Sequence, residues 1–182
     1  MAAKLILLDQ DGVLADFEQG VRQRWQLTYQ QPLPLPERRH FYLREDMAPQ
    51  YHRQLTQIYS SKGFFASLPP MNQGIQAARR LLEAGHDVRI CTSPIDDYHY
   101  CVSEKFDWVA RYLGDEWLNR IILAKDKTWI RGDILIDDKP MISGSLKPQW
   151  QHWIYDQSYN RNATNIHRVN WQKPESWSEL LQ

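Results

Sequence analysis

Lys4-Leu5-Ile6-Leu7-Leu8-Asp9-Gln10-Asp11-Gly12-Val13-Leu14-Ala15-Asp16-Phe17 is the stretch that decides the fold. Leu5 to Leu8 is an unbroken apolar run, which suits a strand buried on both faces, as in a parallel sheet. It stops at two carboxylates, Asp9 and Asp11, followed by Gly12. In open α/β sheets, ligands bind beyond the carboxyl ends of the strands. Two acids there offer a place for a divalent cation and an anionic substrate. Taken alone, Asp-x-Asp-Gly is also a common turn, stabilised by side-chain bonds to its own backbone. It is not a calcium-binding helix–loop–helix sequence, because Gly12 comes too early for that loop.

Working outward, the chain alternates strands with helices. Phe17 to about Gln26 reads as a helix, broken by the alternating prolines of Gln31-Pro32-Leu33-Pro34-Leu35-Pro36. Glu37 to Met47 and Gln50 to Ser61 read as two further helices, polar and aromatic enough for a small helical cap. Gln73 to Ala84 is a helix closed by Gly85. Strands are predicted at Asp87–Thr92, Arg120–Leu123, Asp133–Asp138 and Trp150–Tyr155. A helix from Asp97 to Leu113 carries Tyr98, Cys101, Val102, Val109 and Tyr112 on one stripe. Residues 156–172 read as loop, and Pro174 to Leu181 as a last short helix. This order predicts an α/β fold, a doubly wound parallel sheet in three layers. The core would comprise 1–16 and 66–182, with 17–65 a helical cap inserted after the first strand.

Length and composition fit one core domain with a small appended unit: 182 residues, 42% hydrophobic, 22 basic and 22 acidic side chains. The zero net charge gives no electrostatic footprint for nucleic acid or a membrane surface. No apolar run approaches the ~20 residues of a membrane span. The first strand begins at once, with no leader pattern before it, and only Cys91 and Cys101 are present, without metal-ligand spacing. The expectation is a cytoplasmic protein with reduced thiols.

Four predicted strands end in residues with useful chemistry: Asp9 and Asp11; Thr92 and Ser93; Lys125 and Lys127 shortly after the third; Asp137 and Asp138. Each has a plain structural use. Thr92 and Ser93 can cap the next helix, the lysines can sit in solvent, and the paired aspartates can form a turn. In a parallel sheet, however, all four endings lie along one edge. Carboxylates there can hold Mg²⁺ with waters and a substrate phosphate, a lysine and hydroxyls can bind phosphate oxygens, and one aspartate can attack phosphorus.

In this order the residues resemble the haloacid dehalogenase superfamily of phosphotransferases. The longer strings Asp9–Phe17, Ile90-Cys91-Thr92-Ser93-Pro94, Asp126-Lys127-Thr128 and Leu135-Ile136-Asp137-Asp138 resemble its 5′(3′)-deoxyribonucleotidases. So do Glu37-Arg38-Arg39-x-Phe41 and Ser61-Lys62-x-Phe64-Phe65. The resemblance implies a Rossmann-like core and Asp9 as nucleophile. It implies that Asp11 protonates the leaving nucleoside oxygen and then activates water. Mg²⁺ would be held by Asp9, the Asp11 backbone carbonyl and Asp138, with Asp137 a ligand or a support beside them. Thr92, Ser93 and Lys127 would bind phosphate, and Phe17, Phe41, Tyr42, Leu43 and Tyr59 would line the nucleoside pocket. Tyr42 and Tyr59 stand where some members have tryptophan, and Asp96 where relatives often have lysine. The expected activity is Mg²⁺-dependent hydrolysis of (deoxy)ribonucleoside monophosphates, dUMP and dTMP foremost. The expected partner is a small-molecule nucleotide, with no nucleic acid and no membrane, and the chain a monomer or homodimer. Two other readings stay open: a phosphatase of another small phosphomonoester, and a signalling module that stores a phosphoryl group on aspartate.

Overall fold

The computed structural model describes residues 2–164 and 167–181. In chain order the elements are β1 (Leu5–Leu8), α1 (Phe17–Tyr29), α2 (His52–Tyr59), α3 (Gly74–Glu83), β2 (Asp87–Thr92), α4 (Tyr98–Tyr112), β3 (Ile121–Leu123), β4 (Ile134–Asp137), β5 (Gln151–Tyr155) and β6 (Arg168–Val169), joined by loops and short 3-10 turns. The six strands form one parallel sheet in the order β3-β2-β1-β4-β5-β6. β1, β2 and β3 step one way across the sheet, and β4, β5 and β6 step the other. The order therefore reverses between β1 and β4, which is where such sheets open a crevice.

Side-chain alternation divides the interior. Ile6 and Leu8 of β1 point to the large apolar cluster, which also holds Val21 and Trp25 of α1, Leu55 and Ile58 of α2, Ala77, Ala78 and Leu81 of α3, and Cys101, Trp108 and Val109 of α4. Leu7 points the other way, to a small cluster with Cys91, Leu135 and Trp150, edged by Ile130 and Ile142. The sheet is thus sandwiched, but unequally. All four helices pack into the large cluster, and the opposite face is covered by loops and 3-10 turns. The chain after β6 returns to the helical side, where Trp171 and Trp177 are fully buried and Trp171 Nε1 donates to the Val13 carbonyl at 2.8 Å. Truncating a buried tryptophan of this kind costs about 3–5 kcal/mol.

Several expectations shift. α1 runs to Tyr29, three residues past the expected end, with Asp16 as its N-cap accepting from Gln19 N at 2.9 Å. Glu37 to Met47 is not a helix; it holds only a 3-10 turn at Leu43–Glu45. The reason is local. Asp46 Oδ2 accepts from the backbone N–H of both Arg39 and His40 at 2.8 Å, and the Arg38 guanidinium donates to the carbonyls of His40 and Phe41. Side chains have taken the backbone groups that a helix needs. The expected last helix, Pro174 to Leu181, is two 3-10 turns. Within the stretch expected to be loop lies β6, a two-residue strand on the edge of the sheet. In α4 the buried face is Cys101, Glu104, Lys105, Trp108 and Val109, whereas Tyr98, assigned to the apolar stripe, lies in solvent.

Candidate active site

The sheet register brings the acids together. Leu8 lies opposite Ile136, and Asp9 N donates to the Ile136 carbonyl, so Asp9 and Asp137 leave their neighbouring strands at the same level. Asp138 follows at the next position. Asp9, Asp137 and Asp138 each offer a carboxylate oxygen, and these lie within 4.8 Å of one another. Gly12 makes this approach feasible. Its φ of +79° suits glycine, and a Cβ there would run into the Asp138 carboxylate.

Lys127, buried in the 3-10 turn after β3, bridges two of the acids, at 2.9 Å from Asp9 Oδ1 and 2.6 Å from Asp137 Oδ2. Asp9 Oδ1 also accepts from Gln10 N at 2.7 Å. The other oxygen of Asp137 accepts from Lys139 N at 2.9 Å, so both oxygens of Asp137 are engaged. Asp138 differs. Its Oδ2 accepts from the Tyr159 hydroxyl, while its Oδ1 is buried with no hydrogen-bond partner among the described residues.

Burial raises the Asp9 carboxyl to about 7, with Lys127 pulling against it. Burial, then Asp137 and Asp9, push Asp138 well above the usual carboxylate range. Burial would raise Asp137 too, but Lys127 outweighs it and holds Asp137 low. Burial works against the charge on Lys127; Asp137 and Asp9 more than reverse this.

A second unit stands beside the first. Lys105 of α4, fully buried, reaches Asp11 Oδ2 at 2.6 Å and Thr92 Oγ1 at 2.9 Å. The sequence reading did not single out Lys105. Its signal was spacing: Cys101, Lys105 and Val109 recur every four residues, so one helix face carries a lysine into the interior. Among the described residues, the ion pairs at this edge join Asp11 to Lys105, and Asp9 and Asp137 to Lys127. Asp138 has no lysine partner among them, and its Oδ1 has no hydrogen-bond donor. That donor set fits a hard divalent cation with oxygen ligands.

The other expected residues fall in several places. Ser93 Oγ donates to the Ala124 carbonyl at 2.6 Å and so ties the ends of β2 and β3 together. Phe17 packs against Tyr59, Phe64 and Phe65, with ring centroids 5.5–6.2 Å apart. Phe41 stands edge-on to Tyr42 at 5.0 Å and to Tyr159 at 6.1 Å. Lys139 Nζ lies 5.6 Å from the Phe41 ring and 5.9 Å from that of Tyr42. Tyr42 is 52% exposed, while Leu43 is buried in the large apolar cluster. Asp96 lies in solvent, paired with Lys125 at 2.7 Å. A cavity of about 170 Å³ beside the Asp11 loop is lined by Gly12, Phe17, Arg38, Met71, Gln157 and Tyr159, among others.

The family described as 5′ nucleotidase, deoxy (pyrimidine), cytosolic type C protein matches residues 3–181. A Bordetella bronchiseptica protein, provisionally named a 5′(3′)-deoxyribonucleotidase, is 46% identical over 97% of this chain and 95% of its own length. The human cytosolic-type 5′(3′)-deoxyribonucleotidase is 37% identical over 97% of this chain and 92% of its own. Among solved structures, a haloacid dehalogenase-like family hydrolase from Streptococcus pneumoniae superposes with a TM-score of 0.54 at 13% identity, covering 99% of each chain. That likeness concerns the fold.

Proposed function

The chain belongs to the deoxy-pyrimidine 5′-nucleotidase family of type C, and is a nucleotidase of the haloacid dehalogenase fold; from this premise we propose that it hydrolyses deoxypyrimidine nucleoside monophosphates, dUMP and dTMP foremost, with Mg²⁺ and through an aspartyl-phosphate. The observation that carries the reading is the paired arrangement at the sheet edge: Asp9, Asp137 and Asp138 around Lys127, and Asp11 and Thr92 around Lys105.

In this reading Asp9, Asp138 and the Asp11 backbone carbonyl hold Mg²⁺, and Asp137, with both oxygens engaged, supports them by holding Lys127. Bound there, Mg²⁺ would offset part of the negative charge that the carboxylates and the substrate phosphate bring together. Lys127, Lys105 and Thr92 bind the remaining phosphate oxygens. A phosphate that takes the Lys105 ammonium draws it from Asp11, whose freed Oδ2 then takes up a proton from solvent. An Asp9 oxygen then attacks phosphorus; the bond from phosphorus to the nucleoside oxygen breaks, and Asp11 gives that oxygen its proton. In the second half, Asp11 takes a proton from water, the water oxygen bonds to phosphorus, and the bond to Asp9 breaks.

Residues 17–65 act as the cap over this edge, with 1–16 and 66–182 as the core. Phe17, Phe41, Tyr42 and Tyr59 face base and sugar from the cap side. An apolar wall near C2′ leaves the extra hydroxyl of a ribonucleotide unpaired, yet rejects it only by on the order of 10²-fold. The tyrosines bring polar tips, so the deoxy preference is incomplete. Among the described residues no helix is long and apolar enough to cross a membrane; the cytoplasmic assignment rests on the likeness to the human cytosolic-type relative.

The test is phosphate release from dUMP, UMP, dGMP and 4-nitrophenyl phosphate, with Mg²⁺ and with chelator. The expected result is release that requires Mg²⁺ and is fastest with dUMP. Release untouched by chelator overturns the metal assignment. Equal rates for dUMP and UMP, or for dUMP and dGMP, overturn the substrate assignment.

A further inference from the structure

The four residues Gln157–Asn160, between β5 and β6, touch the Asp11 loop, Asp138 and the segment 38–41. Gln157 Nε2 donates to the Gly12 carbonyl at 2.7 Å, in the loop that carries Asp11. Asn160 Nδ2 donates to the Asp138 carbonyl at 2.8 Å, and Ser158 Oγ donates to the Arg38 carbonyl at 3.2 Å. Between them, Tyr159 works in two directions. Its hydroxyl donates to Asp138 Oδ2. Its ring is covered by the Arg38 guanidinium at 3.6 Å and meets the edge of Phe41. Arg38 in turn donates to the Phe41 carbonyl and pairs with Glu18 of α1 at 3.5 Å.

Asp138 has two oxygens with different fates. Tyr159 holds Oδ2, and this fixes the rotation of the carboxylate. Oδ1 is left buried and without a hydrogen-bond partner among the described residues, and a carboxylate oxygen of Asp138 lies within 4.8 Å of those of Asp9 and Asp137. Without the hydroxyl, the carboxylate would be free to turn and would meet a cation in the wrong orientation. A side chain that orients a metal ligand in this way is commonly worth ~10–100-fold in metal affinity.

We propose that Tyr159 is a positioning residue that aims Asp138 at the cation and, through the other face of its ring, seats the segment 38–41, so that metal binding and nucleoside binding are coupled. This rests on Asp138 being a metal ligand, as assigned above. A nucleoside that packs on Phe41 holds segment 38–41 in place, which steadies the Tyr159 ring and its hydroxyl. By linkage, the gain is the same in both directions.

The test is calorimetric titration of Mg²⁺ into the substrate-free protein, with and without saturating deoxyuridine, which lacks the phosphate. The proteins are wild type, Tyr159→Phe, Asp138→Asn and Arg38→Gln, each checked by its melting curve in chelator. In wild type, deoxyuridine is expected to tighten Mg²⁺ about fivefold or more. Tyr159→Phe, which keeps the ring, should weaken Mg²⁺ ~10–100-fold and abolish the response to deoxyuridine. Arg38→Gln leaves the hydroxyl in place; it should keep the Mg²⁺ affinity of the free protein and lose the response. A purely structural tyrosine would lower the melting temperature and leave Mg²⁺ affinity alone, and that result overturns the proposal. If Asp138→Asn binds Mg²⁺ like wild type, the ligand assignment itself falls. If Asp138→Asn loses Mg²⁺ while Tyr159→Phe keeps it, only the positioning role falls. A wild-type protein indifferent to deoxyuridine overturns the coupling. Tyr159→Phe reads the metal arm and Arg38→Gln the cap arm, so a failure of either to fold leaves the other decisive.

Discussion

The proposed phosphate end of the site and its proposed nucleoside end are built in opposite ways. At the phosphate end, Asp9, Thr92, Lys105, Lys127, Asp137 and Asp138 are all buried, and their hydrogen bonds cross between β1, β2, β4, α4 and the turn after β3. At the nucleoside end, Tyr42 is half in solvent, and Phe41 rests on Tyr42, Lys139 and Tyr159 by ring contacts, with its carbonyl held by Arg38. One end is cross-linked by these bonds, and its crowded carboxylates are costly until a cation is shared among them. The other end is half open and can adapt to what it binds. On the proposed reading, chemistry that needs a fixed distance to phosphorus sits on the sheet, and recognition that tolerates some slack sits on residues 17–65.

Four substitutions would break or sharpen this contrast. Asp9→Asn preserves shape and removes the attacking charge, so turnover of every substrate is expected to vanish with the fold intact. Phosphate release alongside circular dichroism checks it, and more than trace Mg²⁺-dependent turnover removes the covalent step. Asp11→Asn is expected to slow dUMP hydrolysis by ~10²–10⁴-fold. The loss should be smaller for 4-nitrophenyl phosphate, whose leaving group needs no proton; equal losses, where chemistry limits the rate, argue against the acid role. Phe41→Ala is expected to lower kcat/KM for dUMP by about tenfold, equivalent to ~1.4 kcal/mol, and to leave 4-nitrophenyl phosphate within a factor of about two. If it harms both alike, the two ends are not separate. Tyr42→Ala should cost least, about two- to threefold on dUMP alone, because half of its surface stays in water in the free enzyme. A larger effect than that of Phe41→Ala, in the same assay, would mean that the exposed ring closes onto the substrate.

What could be read from the sequence shares one property: it repeats locally. The apolar runs of β1, β2 and β4 end in acids or hydroxyls, and a parallel sheet places such endings on one edge whatever the loops do. Asp9, Asp11, Thr92, Lys127, Asp137 and Asp138 were therefore legible along the chain, and the sheet brings them together. The helices α3 and α4 were legible from their periodicity and from Gly85. What tertiary structure alone decided depends on contacts between residues far apart in sequence. Lys105 lies 94 residues from Asp11; its spacing from Cys101 and Val109 places it on the buried face of α4, but the acid it meets there is set by packing. Tyr159 lies 21 residues beyond Asp138, in a segment with no helix or strand period, and it meets Arg38, far earlier in the chain, only through tertiary contact. Glu37 to Met47 looks helical by composition, yet Asp46 and Arg38 bind its backbone groups in a fold that competes with the helix. A period in sequence reports the face that an element will bury; it says nothing about which charged or hydroxyl group arrives from elsewhere to complete the site, because that is settled by packing.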